Sequence, residues 1–331
     1  MIRFALIGAG FIGSAHARNL AAHPEVAFVL VHDVDRGRAE ALAGRYGVQV
    51  AADEDAIFGS AGIDAVLIAS STDTHADYLE RAARAGKAIF CEKPIDLAID
   101  RARAAVAAVQ SAGVPAMLDF NRRFDRDHAE LRASVAGGEV GAVELVQMTS
   151  RGPVVPPIAY IKVSGGQMRD QTIHFFDLLR WITGDEPVAV QAMGAALADR
   201  RVGEAGDVDT SIVLLRLSGG GLCQIDSVRR ADYGYDERIE VFGAKGMVES
   251  RRQRAGGVSR YVGGAIVESG LHRGWFERHE GTYRASLDAF LAALREGRAP
   301  SPSLADGLRA GLIAEAATAA LRSGATVRVE S

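Results

Sequence analysis

A chain of 331 residues exceeds the size at which one hydrophobic core usually stops growing, and its 48% of hydrophobic residues can fill two cores, so two domains are expected. The formal net charge of −4 gives no basic excess, which argues against a nucleic-acid partner. No apolar run approaches the ~20 residues of a membrane span, so we expect a soluble protein.

The first predicted strand, Ile2–Ile7, leads directly into a glycine-rich turn and then into a helical stretch, Ser14–Ala22. This order is the context that a dinucleotide-binding fingerprint requires. The first glycine permits the turn, the second lets the backbone approach a pyrophosphate, and the third lets the helix pack on the strand. The phosphates would lie at the helix N-terminus. The predicted cofactor-binding residues of this turn are Gly8, Gly10, Phe11, Ile12 and Gly13. The alternative is that the glycines only form a tight turn.

Arg3 and the apolar stretch after it also faintly resemble a secretory signal. Three glycines inside the apolar segment and a single basic residue argue against that interpretation. We expect no signal peptide.

A second predicted strand, Ala27–His32, ends in Asp33, twenty positions after Gly13. A carboxylate there would hold the ribose hydroxyls of the adenosine half and repel the extra phosphate of NADP. The spacing favours NAD, although the nearby Arg36 leaves NADP open as a less favoured cofactor. Asp35 is a competing carboxylate, and it is better interpreted as the N-cap of a helix over residues 36–46.

Strand-like and helical runs then alternate up to residue 118, which predicts a doubly wound, mostly parallel sheet of the Rossmann type. The runs are Ala65–Ala69, Ala76–Ala85, Ala88–Cys91, Arg101–Ala112 and Pro115–Leu118. We predict an NAD-binding domain over residues 1–120.

From about residue 121 the pattern changes to a helix followed by longer strands that are separated by glycine-bearing turns. They are a helix over His128–Ala136, strands over Val143–Thr149, Val188–Ala196, Thr210–Leu217, Gly221–Arg229 and Arg238–Phe242, and closing helices over Tyr283–Arg295 and Leu304–Leu321. We predict an α+β domain over residues 121–331 with a large, mostly antiparallel, open-faced sheet. An open face of that size is often buried by oligomerisation.

The segment from Ser70 to His75 follows a buried-type strand, so it lies at the carboxyl edge of the sheet, where ligands bind in such folds. Ser70, Thr72 and His75 are therefore predicted cofactor contacts. The segment also fits a loop with a helix N-cap at Asp73 or Thr74, and His75 on its own favours a structural role.

Lys93 follows another buried-type strand, and Pro94 stiffens the turn that presents it. An ammonium beside a substrate hydroxyl would stabilise a developing alkoxide. Glu92 and Lys93 are predicted near the cofactor. The alternative is a surface lysine paired with Glu92.

Asp170, His174 and Asp177 recur at helical spacing and are predicted to project from one face. A carboxylate one turn from an imidazole can orient and tune a general base. The apolar residues between them fit the core of an ordinary amphipathic helix. No residue set has convincing metal-ligand spacing, so no metal is expected. Cys91 and Cys223 are predicted to be buried thiols, which fits a reducing cytoplasm.

These residues together resemble the glucose-fructose oxidoreductase and inositol dehydrogenase family (Gfo/Idh/MocA), and within it the inositol 2-dehydrogenases. The resemblance covers essentially the whole chain. It is carried by the glycine turn, Cys91-Glu92-Lys93-Pro94, Asn121-Arg122-Arg123-Phe124-Asp125, the Asp170 to His174 segment, Tyr233-Gly234-Tyr235-Asp236, and Tyr283.

The resemblance implies NAD-dependent oxidation of a ring hydroxyl of a cyclic polyol, with myo-inositol to 2-keto-myo-inositol as the leading reaction. It matches Lys93, Asp170 and His174 to the family's catalytic lysine, aspartate and histidine. Lys93, Asp170 and His174 also contact the polyol by this match, and further pocket residues are Arg122, Asp177, Tyr235 and Tyr283. It further implies a homotetramer built through the open sheet face.

Two positions depart from the family's pattern: Phe175 stands where an acidic residue is usual, and Asp119 where glycine is usual. An apolar ring beside His174 could remove a polyol contact, so the substrate stays open. Alternatives are a dehydrogenase of another sugar, sugar acid or inositol isomer, a family member that cleaves glycosides by transient oxidation, and a sensor that binds NAD and a sugar without turnover. The sensor would be expected to lack Lys93 or His174.

Overall fold

The computed structural model describes residues 1–330, and the chain divides into two compact units. The first unit contains Met1–Asn121 and Thr282–Gly311, and the second contains Arg122–Gly281 and the chain from Leu312 onward. The division predicted from the sequence gives all of residues 121–331 to one domain. In the structure, residues 282–311 belong to the first unit, and the chain changes unit inside each of its last two long helices.

The first unit is built on a six-stranded, all-parallel sheet with the order β3-β2-β1-β4-β5-β6. The strands are β1 (Ile2–Ile7), β2 (Val26–His32), β3 (Gln49–Val50), β4 (Ala65–Ile68), β5 (Ala88–Cys91) and β6 (Ala116–Leu118). This order confirms the doubly wound parallel sheet predicted from the sequence. Its reversal point lies beside β1, where the glycine turn begins.

Five helices cover this sheet: α1 (Phe11–Ala22), α2 (Arg36–Tyr46), α3 (Asp55–Phe58), α4 (His75–Arg84) and α5 (Ile99–Ala112). The predicted N-cap of α2 is confirmed, because the Asp35 side chain accepts hydrogen bonds from the backbone N–H groups of Gly37 and Arg38. Gly47 ends α2 with a φ of 68°, a left-handed conformation that glycine adopts without strain.

The core of the first unit draws on both ends of the chain. The Phe290 ring packs edge-on against Phe90 at 5.4 Å and against Phe4 at 6.3 Å between ring centroids, and all three side chains are fully buried. Burying one such side chain contributes about 1.5–3 kcal/mol. This packing explains why residues 282–311 belong to the first unit.

The second unit is built on a seven-stranded sheet with the order β12-β11-β7-β10-β9-β8-β15. Every neighbouring pair is antiparallel except β7 with β10, which confirms the mostly antiparallel sheet. The strands are β7 (Val143–Arg151), β8 (Pro187–Ala195), β9 (Thr210–Leu217), β10 (Leu222–Val228), β11 (Asp236–Gly243), β12 (Gly246–Ser250) and β15 (Val327–Arg328). A separate hairpin joins β13 (Arg260–Val262) to β14 (Ala265–Val267).

One face of this larger sheet is buried and the other is open. Along β9 the alternate residues 211, 213, 215 and 217 are buried, whereas Ile212 and Leu214 are about half exposed. Met247, Phe242 and Leu222 also lie on the open face, in a row completed by the paired residue Leu145. The open face is therefore partly apolar.

The remaining helices are α6 (Arg126–Ala136), α7 (Ile158–Ile161), α8 (Ile173–Thr183), α9 (Arg200–Glu204), α10 (Trp275–Glu296) and α11 (Leu304–Ser323). A π-helical turn over Met168–Thr172 runs directly into α8, and Gly184 caps the C-terminus of α8. The regular helical spacing assumed for Asp170 and His174 does not hold here, because a π-helical turn is wider than an α-helical one. Among residues 1–330, none of the helices has both the length and the hydropathy that a transmembrane segment needs.

Candidate active site

The glycine turn has two positions that only glycine can occupy and one that is open. Gly8 has a φ of +101°, and a Cβ there would lie 2.3 Å from the Ala69 carbonyl oxygen. A Cβ at Gly13 would lie 2.0 Å from the Gly8 carbonyl oxygen. A Cβ at Gly10 would meet nothing within 4 Å. The backbone is thus bare at Gly10, the N-cap of α1, where a pyrophosphate would approach.

Asp33 follows β2 and is fixed beside this turn. Its Oδ2 accepts a hydrogen bond from the Ala9 backbone N–H at 2.6 Å, and its Oδ1 accepts one from the Asp35 N–H at 2.8 Å. Carboxylate oxygens can each accept more than one hydrogen bond, so ribose hydroxyls can still be held. Arg36, the residue that left NADP open, pairs instead with Glu40 at 2.8 Å on the surface. These contacts fit NAD.

The loop after β4 is fastened to the turn after β5. His75 is buried, and its Nδ1 and Nε2 lie 2.7 Å and 3.1 Å from the carbonyl oxygens of Pro94 and Ser70. Burial lowers the pKa of His75, and the two carbonyl contacts act in the opposite direction. A 3₁₀ turn over Thr72–Thr74 follows, and the hydroxyl of its last residue, Thr74, lies 2.7 Å from the Ser70 hydroxyl. The cofactor contacts predicted for Ser70, Thr72 and His75 stay predictions.

Lys93 is presented by a turn whose neighbour Glu92 is held on two sides. Glu92 Oε1 lies 2.9 Å from His16 Nε2, and its Oε2 accepts a hydrogen bond from the Lys93 backbone N–H at 3.3 Å. The Lys93–Pro94 peptide bond is cis. Lys93 follows β5, at the carboxyl end of the parallel sheet, which is the position predicted from the sequence.

In the second unit, Asp170 lies in the π-helical turn and His174 in the first turn of α8. Asp170 accepts a hydrogen bond from the Tyr160 hydroxyl at 2.9 Å and one from Arg229 at 3.3 Å. Arg229 also donates to Asp207 at 3.0 Å. The Asp170 carboxylate is therefore fixed in position, which suits a group that is to orient a base.

Arg122 and Tyr235 meet in a buried network around Glu237. Arg122 donates to the Tyr235 hydroxyl at 2.8 Å, and that hydroxyl donates to Glu237 at 2.6 Å. Burial alone would raise the pKa of Glu237, but the Arg122 charge and His279 hold it well below its ordinary value. The Arg122 guanidinium also lies 5.3 Å from the centre of the fully buried Phe175 ring.

The other two predicted pocket residues have different partners. Asp177 is buried in a two-pronged ion pair, in which its Oδ2 and Oδ1 accept from Arg123 at 2.8 Å and 2.5 Å. Tyr283 belongs to the first unit, where its buried ring lies edge-on to His16 at 5.5 Å. Polyol contacts by Asp177 and Tyr283 stay predictions.

The sequence pattern did not reveal five residues whose side chains contact the predicted site residues in the structure. They are His16, Arg123, Tyr160, Arg229 and Glu237. Arg123 lies inside one of the quoted strings and was identifiable as a candidate from there, whereas Glu237 directly follows another of them. Tyr160 and Arg229 lie in segments with no motif, and only the fold brings them to Asp170.

The two halves of the chain match two models of one family. The oxidoreductase family model with an NAD-binding Rossmann fold matches residues 2–120, and the GFO/IDH/MocA C-terminal domain model matches residues 128–249. The chain belongs to the Gfo/Idh/MocA family. The resemblance inferred from the sequence is thereby confirmed, as are the oxidoreductase class and the NAD cofactor.

Individual Gfo/Idh/MocA proteins are similar over the full length. An inositol 2-dehydrogenase of Rhizobium meliloti (strain 1021) is 45% identical over 316 residues, 96% of each chain. The structure of a myo-inositol dehydrogenase from Corynebacterium glutamicum has a TM-score of 0.94 and 37% identity, and the match covers 100% of this chain and 99% of that chain. A scyllo-inositol dehydrogenase from Lactobacillus casei, with bound NAD(H) and scyllo-inositol, has a TM-score of 0.93 and 27% identity, and the match covers 100% of both chains.

Proposed function

We propose that this protein is an NAD-dependent inositol dehydrogenase, and that its first candidate reaction is the oxidation of myo-inositol to 2-keto-myo-inositol. The observation that carries the proposal is the 45% identity to an inositol 2-dehydrogenase over 96% of the chain. The glycine turn, Asp33 and the Lys93 turn supply the parts that such a reaction needs from an NAD-binding unit.

We propose the following roles for the chain's own residues. NAD, when bound, accepts the hydride of the carbinol carbon. His174 takes the hydroxyl proton, and Lys93 stabilises the negative charge that develops on the oxygen. Asp170 orients and tunes His174, and its own position is supported by the hydrogen bonds from Tyr160 and Arg229. Arg122, Asp177, Tyr235 and Tyr283 are proposed to shape the polyol pocket.

The first test measures NADH formation by the purified protein with NAD and a panel of myo-, scyllo- and chiro-inositol, glucose, galactose and sugar acids, repeated with NADP. Turnover on one inositol with NAD supports the proposal and identifies the substrate. Binding of NAD without turnover on any inositol would contradict it.

A variant separates catalysis from cofactor binding. His174→Ala should leave the affinity for NAD unchanged, because His174 lies in the second unit, outside the residues matched by the NAD-binding model. Its turnover should fall by about 100-fold or more, the usual contribution of a general base. Unchanged turnover would reject the role of His174.

Another inositol isomer is the second candidate substrate, since the Lactobacillus casei structure holds scyllo-inositol. The panel above distinguishes the two by their ratio of kcat/KM. A sensor without turnover is disfavoured by the presence of both Lys93 and His174.

We also propose that the protein is a cytoplasmic homo-oligomer, with a tetramer as the expected size. Two buried free cysteines, Cys91 and Cys223, support a reducing compartment. The half-exposed apolar residues of the open sheet face, such as Ile212 and Leu214, support self-association. Light scattering after gel filtration tests this: Leu214→Glu should reduce the mass to that of a smaller assembly, and a monomeric wild type would contradict it.

A further inference from the structure

Three side chains of types that bind metal ions meet at the carboxyl edge of the parallel sheet. His16 lies on α1, Glu92 follows β5 and Asp119 follows β6, and all three residues are buried. One ligand atom of each, an imidazole nitrogen or a carboxylate oxygen, lies within 4.8 Å of the other two. His16 and Glu92 are 76 positions apart, so local spacing in the sequence did not indicate this group.

The separations between these atoms suit one small cation. His16 Nε2 lies 2.9 Å from Glu92 Oε1 and 3.7 Å from Asp119 Oδ2. Two ligand atoms of a tetrahedral Zn²⁺ site, each about 2.0–2.2 Å from the ion, are ~3.4 Å apart. The two measured separations lie on either side of that value, so small side-chain rotations would complete the ligand set.

Asp119 gives an independent indication of a ligand, because its carboxylate is buried without a partner. The side chain has no exposed area, and among residues 1–330 neither of its oxygens has a hydrogen-bond partner. Ser286 on α10 lies close by, but its hydroxyl donates to the Tyr283 carbonyl oxygen at 3.1 Å. The Asp119 backbone N–H donates to the Cys91 carbonyl oxygen at 2.7 Å, which fixes the residue beside β5.

Other buried aspartates of this chain have a cation of their own. Asp125 is paired with Arg278 and Asp177 with Arg123. The charged neighbours of Asp119 are instead Glu92, which repels it, and Lys93. Two carboxylates beside one ammonium leave an excess of negative charge, and buried charge without compensation is costly. A divalent cation between the carboxylates would offset it.

The surroundings of the cluster favour Zn²⁺ over Mg²⁺ or Ca²⁺. The Phe90 and Tyr283 rings lie edge-on to His16 at 5.6 Å and 5.5 Å, so little space remains for the water molecules that Mg²⁺ retains. One imidazole with two carboxylates is a Zn²⁺ donor set. The Glu92 side chain is 11% exposed, which gives the ion a route of entry.

We propose that His16, Glu92 and Asp119 form a binding site for one divalent transition-metal ion of the Zn²⁺ class, which ties α1 to the ends of β5 and β6. His16 binds through Nε2 and keeps its proton on Nδ1, and one oxygen of each carboxylate completes three protein ligands. Glycine is usual in the family at position 119, so the site belongs to this chain and not to the family's pattern. It is independent of the proposed dehydrogenase function.

The affinity should be moderate. Among residues 1–330, His16 Nδ1 has no hydrogen-bond partner, so no outer group orients the imidazole. Such outer partners contribute about 10–100-fold to metal affinity. We therefore expect micromolar rather than nanomolar binding.

The first experiment titrates the metal-depleted, full-length protein with Zn²⁺ by calorimetry at neutral pH, without NAD or inositol. Wild type should bind one ion with micromolar affinity. Asp119→Asn keeps the shape of the side chain but removes a ligand, which should cost more than an outer partner does, about 100-fold or more. No binding by wild type, or equal affinity in the two proteins, would overturn the proposal. If Asp119→Asn does not fold, Glu92→Gln takes its place.

His23→Gln is the matched control for adventitious binding. His23 Nε2 lies 3.2 Å from Asp288 Oδ1, a more exposed imidazole–carboxylate pair of the same unit. The variant should bind Zn²⁺ as wild type does. Loss of binding in His23→Gln with binding retained in Asp119→Asn would place the ion at the surface pair and overturn the proposed site.

The second experiment replaces Zn²⁺ by Co²⁺, whose visible absorption reports its coordination. Wild type should give the strong absorption of four-coordinate Co²⁺, and Asp119→Asn should not. The weak absorption of six-coordinate Co²⁺ in wild type would contradict a buried three-ligand site.

The third experiment measures the melting temperature with and without Zn²⁺. An ion that binds only the folded chain raises the melting temperature, so wild type and His23→Gln should be stabilised and Asp119→Asn should not. The same increase in Asp119→Asn would count against the site. Because NAD and inositol are absent from all three experiments, failure of the proposed dehydrogenase function would leave their outcomes unchanged.

Discussion

The ion pair between Asp177 and Arg123 allows a sharp test of what Asp177 does. The family resemblance assigns Asp177 to the polyol pocket, but in the structure both of its oxygens accept from Arg123, and both side chains are buried. Removing one partner of a buried ion pair leaves an uncompensated charge and costs about 3–5 kcal/mol. Asp177→Asn leaves Arg123 in that state. Since ~1 kcal/mol shifts the melting temperature by roughly 2–4 °C in a unit of this size, a decrease of roughly 6–20 °C is expected.

Thermal unfolding followed by circular dichroism measures this decrease, and KM for the inositol substrate is measured in parallel. The double variant Arg123→Met/Asp177→Leu is the matched control, because it removes both charges and should recover most of the lost stability. An unchanged melting temperature together with a raised KM would refute the reasoning. It would mean that the Asp177 carboxylate binds the substrate and that the ion pair contributes little to the stability of the fold.

Three further outcomes are expected. Glu237→Gln should lower the melting temperature at neutral pH and weaken the fall of the melting temperature in acid. The reason is that the depressed pKa of Glu237 gives stability above about pH 4.3 that is lost as pH falls further. Thermal scans in which the variant and the wild type lose the same melting temperature in acid would contradict this. Gly10→Ala should fold normally and weaken NAD binding about tenfold, or ~1.4 kcal/mol. Gly8→Ala should instead destabilise the first unit by more than about 3 kcal/mol. Calorimetric titration with NAD measures the first effect, and thermal unfolding measures the second. Asp170→Asn should lower kcat about 100-fold, and Tyr160→Phe should lower it less while shifting the pH profile; equal kcat in wild type and both variants would argue against the orienting role of Asp170.

Periodic patterns predicted most of the fold. The strand over Thr210–Leu217 and the helix over Arg36–Tyr46 have the predicted bounds, because alternation and an Asp N-cap with a following glycine are local signals. The helix predicted from Tyr283 begins earlier, at Trp275. The hairpin β13–β14 was not predicted, since its exposed residues carry no burial pattern.

The sequence predicted the type of site and several of its residues, but it did not predict the contacts that support those residues. Glycine spacing and the Lys93 position are readable along the chain, whereas the partner of Asp177 lies 54 residues away at Arg123. The π-helical turn before His174 also has no local sequence signal, so a regular period was assumed there. Ion pairs between residues that are distant in the sequence decide which charged side chains are held by the protein and which can bind a ligand.

The order of the chain has a consequence for biosynthesis. A ribosome releases residues 1–121 long before residues 282–311, yet Phe290 packs against Phe4 and Phe90, and the Leu118 backbone N–H donates to the Pro302 carbonyl oxygen at 3.1 Å. The nascent NAD-binding unit therefore has an incomplete core until residues 282–311 have been synthesised, unlike a domain that folds as it emerges. A fragment that ends at residue 121 would expose the surface that Phe290 covers, and its dependence on chaperones should be greater than that of the full-length chain.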